Sequence, residues 1–151
     1  MEKDKKYPKR YTAGLSKKDK EKQKKMLDKS TKDYKKGKYT DRKKLESFKE
    51  KKSSFVKQVK DKLGLPMNFE KVADKLTRTK KREKELLKGF EEIYDKGKGA
   101  YYSAGSRPNQ TPESWGKARV ASVLVGGKSR NIDKKIVDKY KIPKIWFNKT
   151  L

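Results

Sequence analysis

The chain of 151 residues contains no cysteine and no histidine. Disulfides, thiol nucleophiles, His-based triads and zinc sites built on those ligands are thereby excluded. It is short of acids, with 20 Asp and Glu against 46 Lys and Arg and a formal net charge of +26. Apolar residues are scarce too, 30% of the chain against 44% charged. Only a modest core can form, and part of the chain is expected to order on a partner. No apolar run approaches the roughly 18–20 residues of a membrane span, and no signal-peptide core follows Met1. Arginine is rare beside lysine, 7 residues against 39. Lysine is a flexible point charge, so the ratio points to diffuse phosphate contact rather than bidentate base reading. What is abundant is positive charge, and it calls for an anionic partner.

That charge is uneven: +15 over residues 1–64, +2 over 65–96 and +9 over 97–151. Both ends repel their own kind, which places function at the ends. The expected fold is mainly α, with extended basic N-terminal helices and a small compact helical C-terminal domain. Residues 1–64 read as a basic, partly extended helical arm. Residues 65–151 read as a compact helical domain with a Gly/Tyr-rich loop at 97–110.

Residues 1–14, with Pro8 and Gly14, show no period and read as irregular. Ser16 and Asp19 have capping-box spacing and open a helix to about Lys36, stopped by Gly37. Its only sizeable apolar residues are Met26, Leu27 and Tyr34, a thin stripe that calls for a partner. Thr40 or Asp41 can cap a second helix bearing Leu45 and Phe48, restarted at Ser53 or Ser54 and continued by Phe55, Val56, Val59 and Leu63. Gly64-Leu65-Pro66 stops it. Phe69, Val72, Ala73 and Leu76 mark a short helix. Thr79 can cap the next, with Leu86, Leu87, Phe90, Ile93 and Tyr94 as the best apolar stripe. GKGAYYSAGSRPNQ, at 97–110, reads as a structured turn or short hairpin. Thr111-Pro112-Glu113 is a strong helix start, running through Trp115 to Gly126-Gly127. A last helix at about 130–140 buries Ile132, Ile136, Val137 and Tyr140, and the tail IWFN beyond Pro143 reads as a strand or an apolar plug.

No catalytic motif survives inspection. Gly127-Lys128-Ser129 lacks the first glycine of a phosphate-binding loop, since Ser122 stands there, and a helix C-cap accounts for it better. Gly97-Lys98-Gly99 lacks the third glycine of a dinucleotide site. Glu83-Lys84-Glu85 resembles a nuclease element, but acids alternating with bases on a helix suggest solvated pairs. The helix–GGKS–helix stretch at 112–140 has helix-turn-helix form, with Lys128, Arg130 and Asn131 opening its second helix, but an ordinary helical corner is the favoured account. Basic patches with interleaved aromatics weigh more. Tyr7, Tyr11, Tyr34 and Tyr39 lie among lysines, and Tyr101, Tyr102 and Trp115 flank Arg107 and Arg119. Trp115 itself is expected in the core.

The stretch GAYYSAGSRPNQT at 99–111, then Ser114-Trp115 and Ala118-Arg119 through Gly126-Gly127-Lys128, resembles a domain carried by short basic proteins of nucleocytoplasmic large DNA viruses. Arg10-Tyr11, Leu15 to Asp19, Gln23, Tyr34, Gly37-Lys38-Tyr39 and Arg42 are similar to the same proteins. The resemblance implies a virus-encoded, virion-associated protein and assigns no catalytic residue. The expectation is a non-enzymatic structural protein, a minor capsid or cement component bridging acidic capsid faces and lipid headgroups. The alternative is a genome-packaging protein that binds DNA without reading sequence, and a metal-dependent nuclease is a third reading. Partners would be capsid proteins, viral DNA or internal membrane headgroups, with no cofactor, metal or small-molecule substrate. The place would be the virion and, during assembly, the cytoplasmic virus factory. Contact residues expected from the N-terminal block are Arg10, Lys17, Lys18, Lys38 and Arg42. Those from the C-terminal block are Arg107, Asn109, Gln110, Arg119, Lys128 and Arg130, with bracing of the loop from inside as an equal alternative for Arg107, Asn109, Gln110 and Arg119.

Overall fold

A computed structural model describes residues 7–47 and 54–144. Phe48, Ser53 and the IWFN tail lie outside the described residues. The described chain forms seven α-helices: α1 (Lys17–Lys35), α2 (Ser54–Leu63), α3 (Phe69–Leu76), α4 (Lys80–Ser103), α5 (Pro112–Leu124), α6 (Lys128–Ile132) and α7 (Lys134–Tyr140). A 3-10 turn at Lys9–Tyr11 precedes them, and no strand occurs among the described residues. The fold is mainly α, as the periodicity requires.

Caps set the helix starts. Backbone N–H groups donate to the side chains of Ser16 (from Asp19, 3.2 Å), Asn68 (from Lys71, 3.1 Å), Thr79 (from Arg82, 3.1 Å) and Thr111 (from Ser114, 3.0 Å). Each satisfies a donor the helix leaves orphaned. α1 ends at Gly37, whose φ of +80° suits a residue without Cβ.

The chain divides into two compact units, Met1–Lys51 with Lys98–Trp115, and Lys52–Gly97 with Gly116–Leu151. This partition does not follow the charge boundary at residue 64, because Lys98–Trp115 folds with the N-terminal segment. In the second unit the apolar stripes converge as expected. Val59, Val72, Leu86, Phe90, Ile93, Val120, Leu124 and Val137 are among its buried core residues. α4 and α5 approach closely there: a Cβ on Gly97 would lie 2.6 Å from the Gly116 backbone. Only glycine allows that crossing.

Several sequence expectations about these elements need correction. No helix begins at Thr40 or Asp41: residues 38–45 are irregular, and buried Leu45 sits in that segment. The 97–110 stretch is not a turn or hairpin from its start, since α4 runs through Ser103. Gly97 and Gly99 are helical because tertiary packing at Gly97 outweighs weak helix propensity. Ile132 is 69% exposed rather than buried. α6 is a single short turn, and the buried position falls to the next residue, Asp133.

Candidate polyanion interface

The first unit is built on an unusual helix face. α1 buries Asp19, Gln23, Leu27, Ser30 and Thr31, which share one side at helical spacing. Four of the five are polar, so the face is held by hydrogen bonds more than by apolar area. Asp19 Oδ2 accepts from Ser47 Oγ at 2.5 Å and from Ser47 N at 3.1 Å. Those bonds, the side-chain one foremost, hold its carboxyl below the usual range. Gln23 Nε2 donates to Ser106 O at 3.4 Å, and Ser30 Oγ donates to Tyr102 O at 3.1 Å. The inner face of α1 is thus covered by the chain itself, without an outside partner.

Arg42 ties the same unit together. Its Nη1 donates to Ser30 Oγ (3.1 Å) and Tyr101 O (3.0 Å), and its Nη2 donates to Ser106 Oγ (2.7 Å). The guanidinium lies 3.8 Å from the centroid of the Tyr101 ring, a cation–π contact. Its hydrogen-bond partners among the described residues are all neutral, and burial lowers its pKa. Asn109, in the left-handed region at φ 57°, accepts from Leu45 N (2.7 Å) and donates to Leu45 O (3.1 Å). Gly105 has φ +103°, and a Cβ there would stand 2.8 Å from Leu27 Cδ2. Gln110 Oε1 accepts from Ser114 Oγ at 2.8 Å. The Gly105–Gln110 block therefore works as a brace around α1, and Arg107 alone of its charged or amide side chains is exposed.

The eleven expected contact residues fall into two groups. Arg10, Lys17, Lys18, Lys38, Arg107 and Lys128 are exposed. Arg42, Asn109, Gln110, Arg119 and Arg130 are turned to internal partners; Asn109, Gln110 and Arg119 thereby take the bracing alternative, while Arg42 and Arg130 depart from the contact expectation. In the second unit, Arg119 makes a bidentate pair with Asp133, Nε to Oδ2 at 2.7 Å and Nη2 to Oδ1 at 2.8 Å. Arg130 donates to the carbonyls of Val123 (3.0 Å) and Ile142 (2.8 Å), so the residue that would have opened a recognition helix instead braces the end of α5. Arg82 does likewise for the carbonyls of Tyr140 and Lys141. A planar fork with several donors suits this internal task, while lysine does not.

The lysines take the outside. All nine lysines of α1 are exposed, and none forms an ion pair with a described carboxylate. Lys18, Lys22, Lys25, Lys29 and Lys32 recur at i, i+4, i+7, i+11 and i+14, opposite the buried face. This row was missed in the sequence because lysine is everywhere. The signal was the reverse one, the recurrence of non-lysine positions 19, 23, 27, 30 and 31.

Aromatics split in the same way. Tyr11 and Tyr101 are buried, and Tyr7 donates to Asp28 Oδ1 at 2.6 Å. Burial and that bond push the Tyr7 hydroxyl up to about 12. Trp115 is only half-buried, edge-on to Tyr11 with centroids 6.0 Å apart, short of the full burial expected. Tyr34 and Tyr39 remain 37% and 69% exposed.

The residues named for a nuclease are occupied otherwise. Glu83 pairs with Lys80 at 3.4 Å and Glu85 with Arg82 at 3.5 Å, each one turn along α4. Among the described residues no three carboxylates gather to hold a metal, and no helix is long and apolar enough to cross a membrane.

A family model spans residues 8–140, both the N-terminal block and the braced loop. The chain belongs to the family of unknown function DUF5824. The match covers Arg42, Gly105, Asn109 and Arg119, so the braces lie within the DUF5824 domain. No curated protein and no solved structure matches the chain.

Proposed function

We propose that the protein is a non-enzymatic structural component of a large DNA virus particle that bridges anionic surfaces. In one form of the role it is a minor capsid or cement protein seated between acidic shell faces or lipid headgroups. The observation that carries the reading is the lysine row on α1, set on a face whose opposite side is fixed by hydrogen bonds. A row of ammonium groups spaced along one side of a helix suits a repeating anionic surface. The virion setting rests on the sequence resemblance.

A second reading, coating of the viral DNA without reading its sequence, is favoured by a specific observation. The exposed rings of Tyr34 and Tyr39 stand beside Lys35, Lys36 and Lys38, and rings among lysines can stack on unpaired bases while the ammonium groups meet phosphates. Fractionation of purified particles into shell, membrane and nucleoid separates the two. Recovery with shell or membrane is expected for the cement role, and recovery with the genome assigns the protein to packaging. Its absence from all particle fractions would overturn both. Purified protein that cuts DNA with magnesium, and loses that activity on Glu83→Ala, would replace both readings with an enzyme.

A further inference from the structure

The exposed tyrosines are not isolated. The rings of Tyr34 and Tyr39 lie 5.9 Å apart, those of Tyr39 and Tyr102 5.1 Å, and those of Tyr102 and Tyr101 5.0 Å. The Arg42 guanidinium closes the series at 3.8 Å from the Tyr101 ring. The series runs from solvent to interior, with Tyr39 69% exposed and Tyr101 1%.

Hydrogen bonds fix the rings. Arg42 N donates to Tyr101 Oη at 3.1 Å, and Tyr102 Oη donates to Asp41 Oδ1 at 2.9 Å. Thr40 Oγ1 donates to Asp33 Oδ2 at 2.7 Å, and Lys38 N donates to Asp33 O at 2.8 Å, which together pin the turn carrying Tyr39. Asp33 and Asp41 are thus engaged within the patch, and Glu113 is a further carboxylate within electrostatic reach of Tyr102. The surrounding side chains Lys35, Lys36 and Lys38 are exposed.

Neighbouring exposed rings form a surface whose covering is favourable, and the lysine surround favours a cover that carries negative charge. A base on a phosphate backbone satisfies both demands, with its π-face on the ring and its phosphates on the ammonium groups. Duplex bases are stacked on each other and offer no free face, so the strand must be single.

We infer that the Tyr34–Tyr39–Tyr102 patch is a stacking platform for a base of single-stranded nucleic acid, with Tyr39 as the contacting ring. The inference rests on the polyanion interface proposed above and names its partner at this end of α1.

The test compares a labelled oligothymidylate with an abasic strand of the same length, which keeps the phosphates and lacks the bases. Fluorescence anisotropy at fixed salt should show the thymidylate bound about fivefold or more tightly than the abasic strand. Tyr39→Ala should erase that difference and leave abasic affinity and thermal midpoint unchanged, while Tyr39→Phe should retain it. Equal binding of the two strands, or a preference that survives Tyr39→Ala, overturns the platform and leaves the polyanion interface standing. Failure to bind either strand or duplex DNA removes the nucleic-acid partner altogether, and the platform with it.

Discussion

Replacing Lys18, Lys22, Lys25, Lys29 and Lys32 together with glutamine removes the outward row of α1 and leaves its buried face intact. At a rise of about 1.5 Å per residue the row extends roughly 21 Å, a length over which a duplex offers about 12 phosphates. Phosphates are therefore in excess, and the lysines limit the contact. Each lysine that meets a phosphate contributes about 0.9 to the slope of log affinity against log salt, so five contribute about 4.5. Between about 50 and 200 mM salt the native protein should then lose roughly 500-fold more affinity for duplex DNA than the variant. The comparator is a second variant of equal net charge, with Lys57, Lys60, Lys71, Lys75 and Lys84, all exposed on α2, α3 and α4, changed to glutamine. Salt titrations of the three proteins by anisotropy decide the matter. If both variants lose the same slope, only net charge matters and the row has no special place. Folding provides an independent check. Lys18–Lys22, Lys22–Lys25, Lys25–Lys29 and Lys29–Lys32 are like-charge neighbours on one helix face, worth together about 1–2 kcal/mol of repulsion at low salt. Attraction of Lys18 and Lys22 for Asp19, and the Glu21–Lys25 and Asp28–Lys32 spacings, offset that repulsion, so the row variant should melt close to the native protein.

Arg119→Ala leaves the Asp133 carboxylate, 1% exposed, without its partner. The expected loss is about 3–5 kcal/mol by denaturant titration, with Arg119→Lys recovering only part of it because the bidentate geometry is gone. Asn109→Ala strips both backbone groups of Leu45 of their partner and should cost about 2 kcal/mol by the same measurement, with affinity per folded molecule unchanged. Trp115→Ala should cost less than the roughly 3–5 kcal/mol of a fully buried ring, since the residue is only partly buried, and a drop in thermal midpoint as large as that of Arg119→Ala would contradict the observed exposure. Stability should also respond to pH at both ends. The Tyr7 pKa rises on folding from 10.0 to about 12, so its contribution is complete below 10.0 and lost as the pH climbs towards about 12. Tyr7→Phe should flatten that alkaline limb. The Asp19 pKa falls on folding, so its contribution is present above 3.8 and lost as the pH drops below, a limb that Asp19→Asn should remove.

The sequence by itself determined the class of fold and the starts of α1, α4 and α5. Those follow from information within one helical turn, a capping hydroxyl three residues before the N–H it receives. It went astray where the neighbours are distant in the chain. Leu45 reads as a helix residue until Asn109, 64 positions on, takes its backbone groups. Gly97 reads as a breaker until Gly116 needs the space of its missing Cβ. The same reason governs the candidate interface. Arginine and lysine are alike in a charge count, and only the folded chain sends Arg42, Arg82, Arg119 and Arg130 to carbonyls, hydroxyls and a buried carboxylate while leaving the α1 lysines in water. Tertiary structure decided that split because a guanidinium can be desolvated when its several donors are met at once, whereas a lysine ammonium keeps its hydration and stays outside.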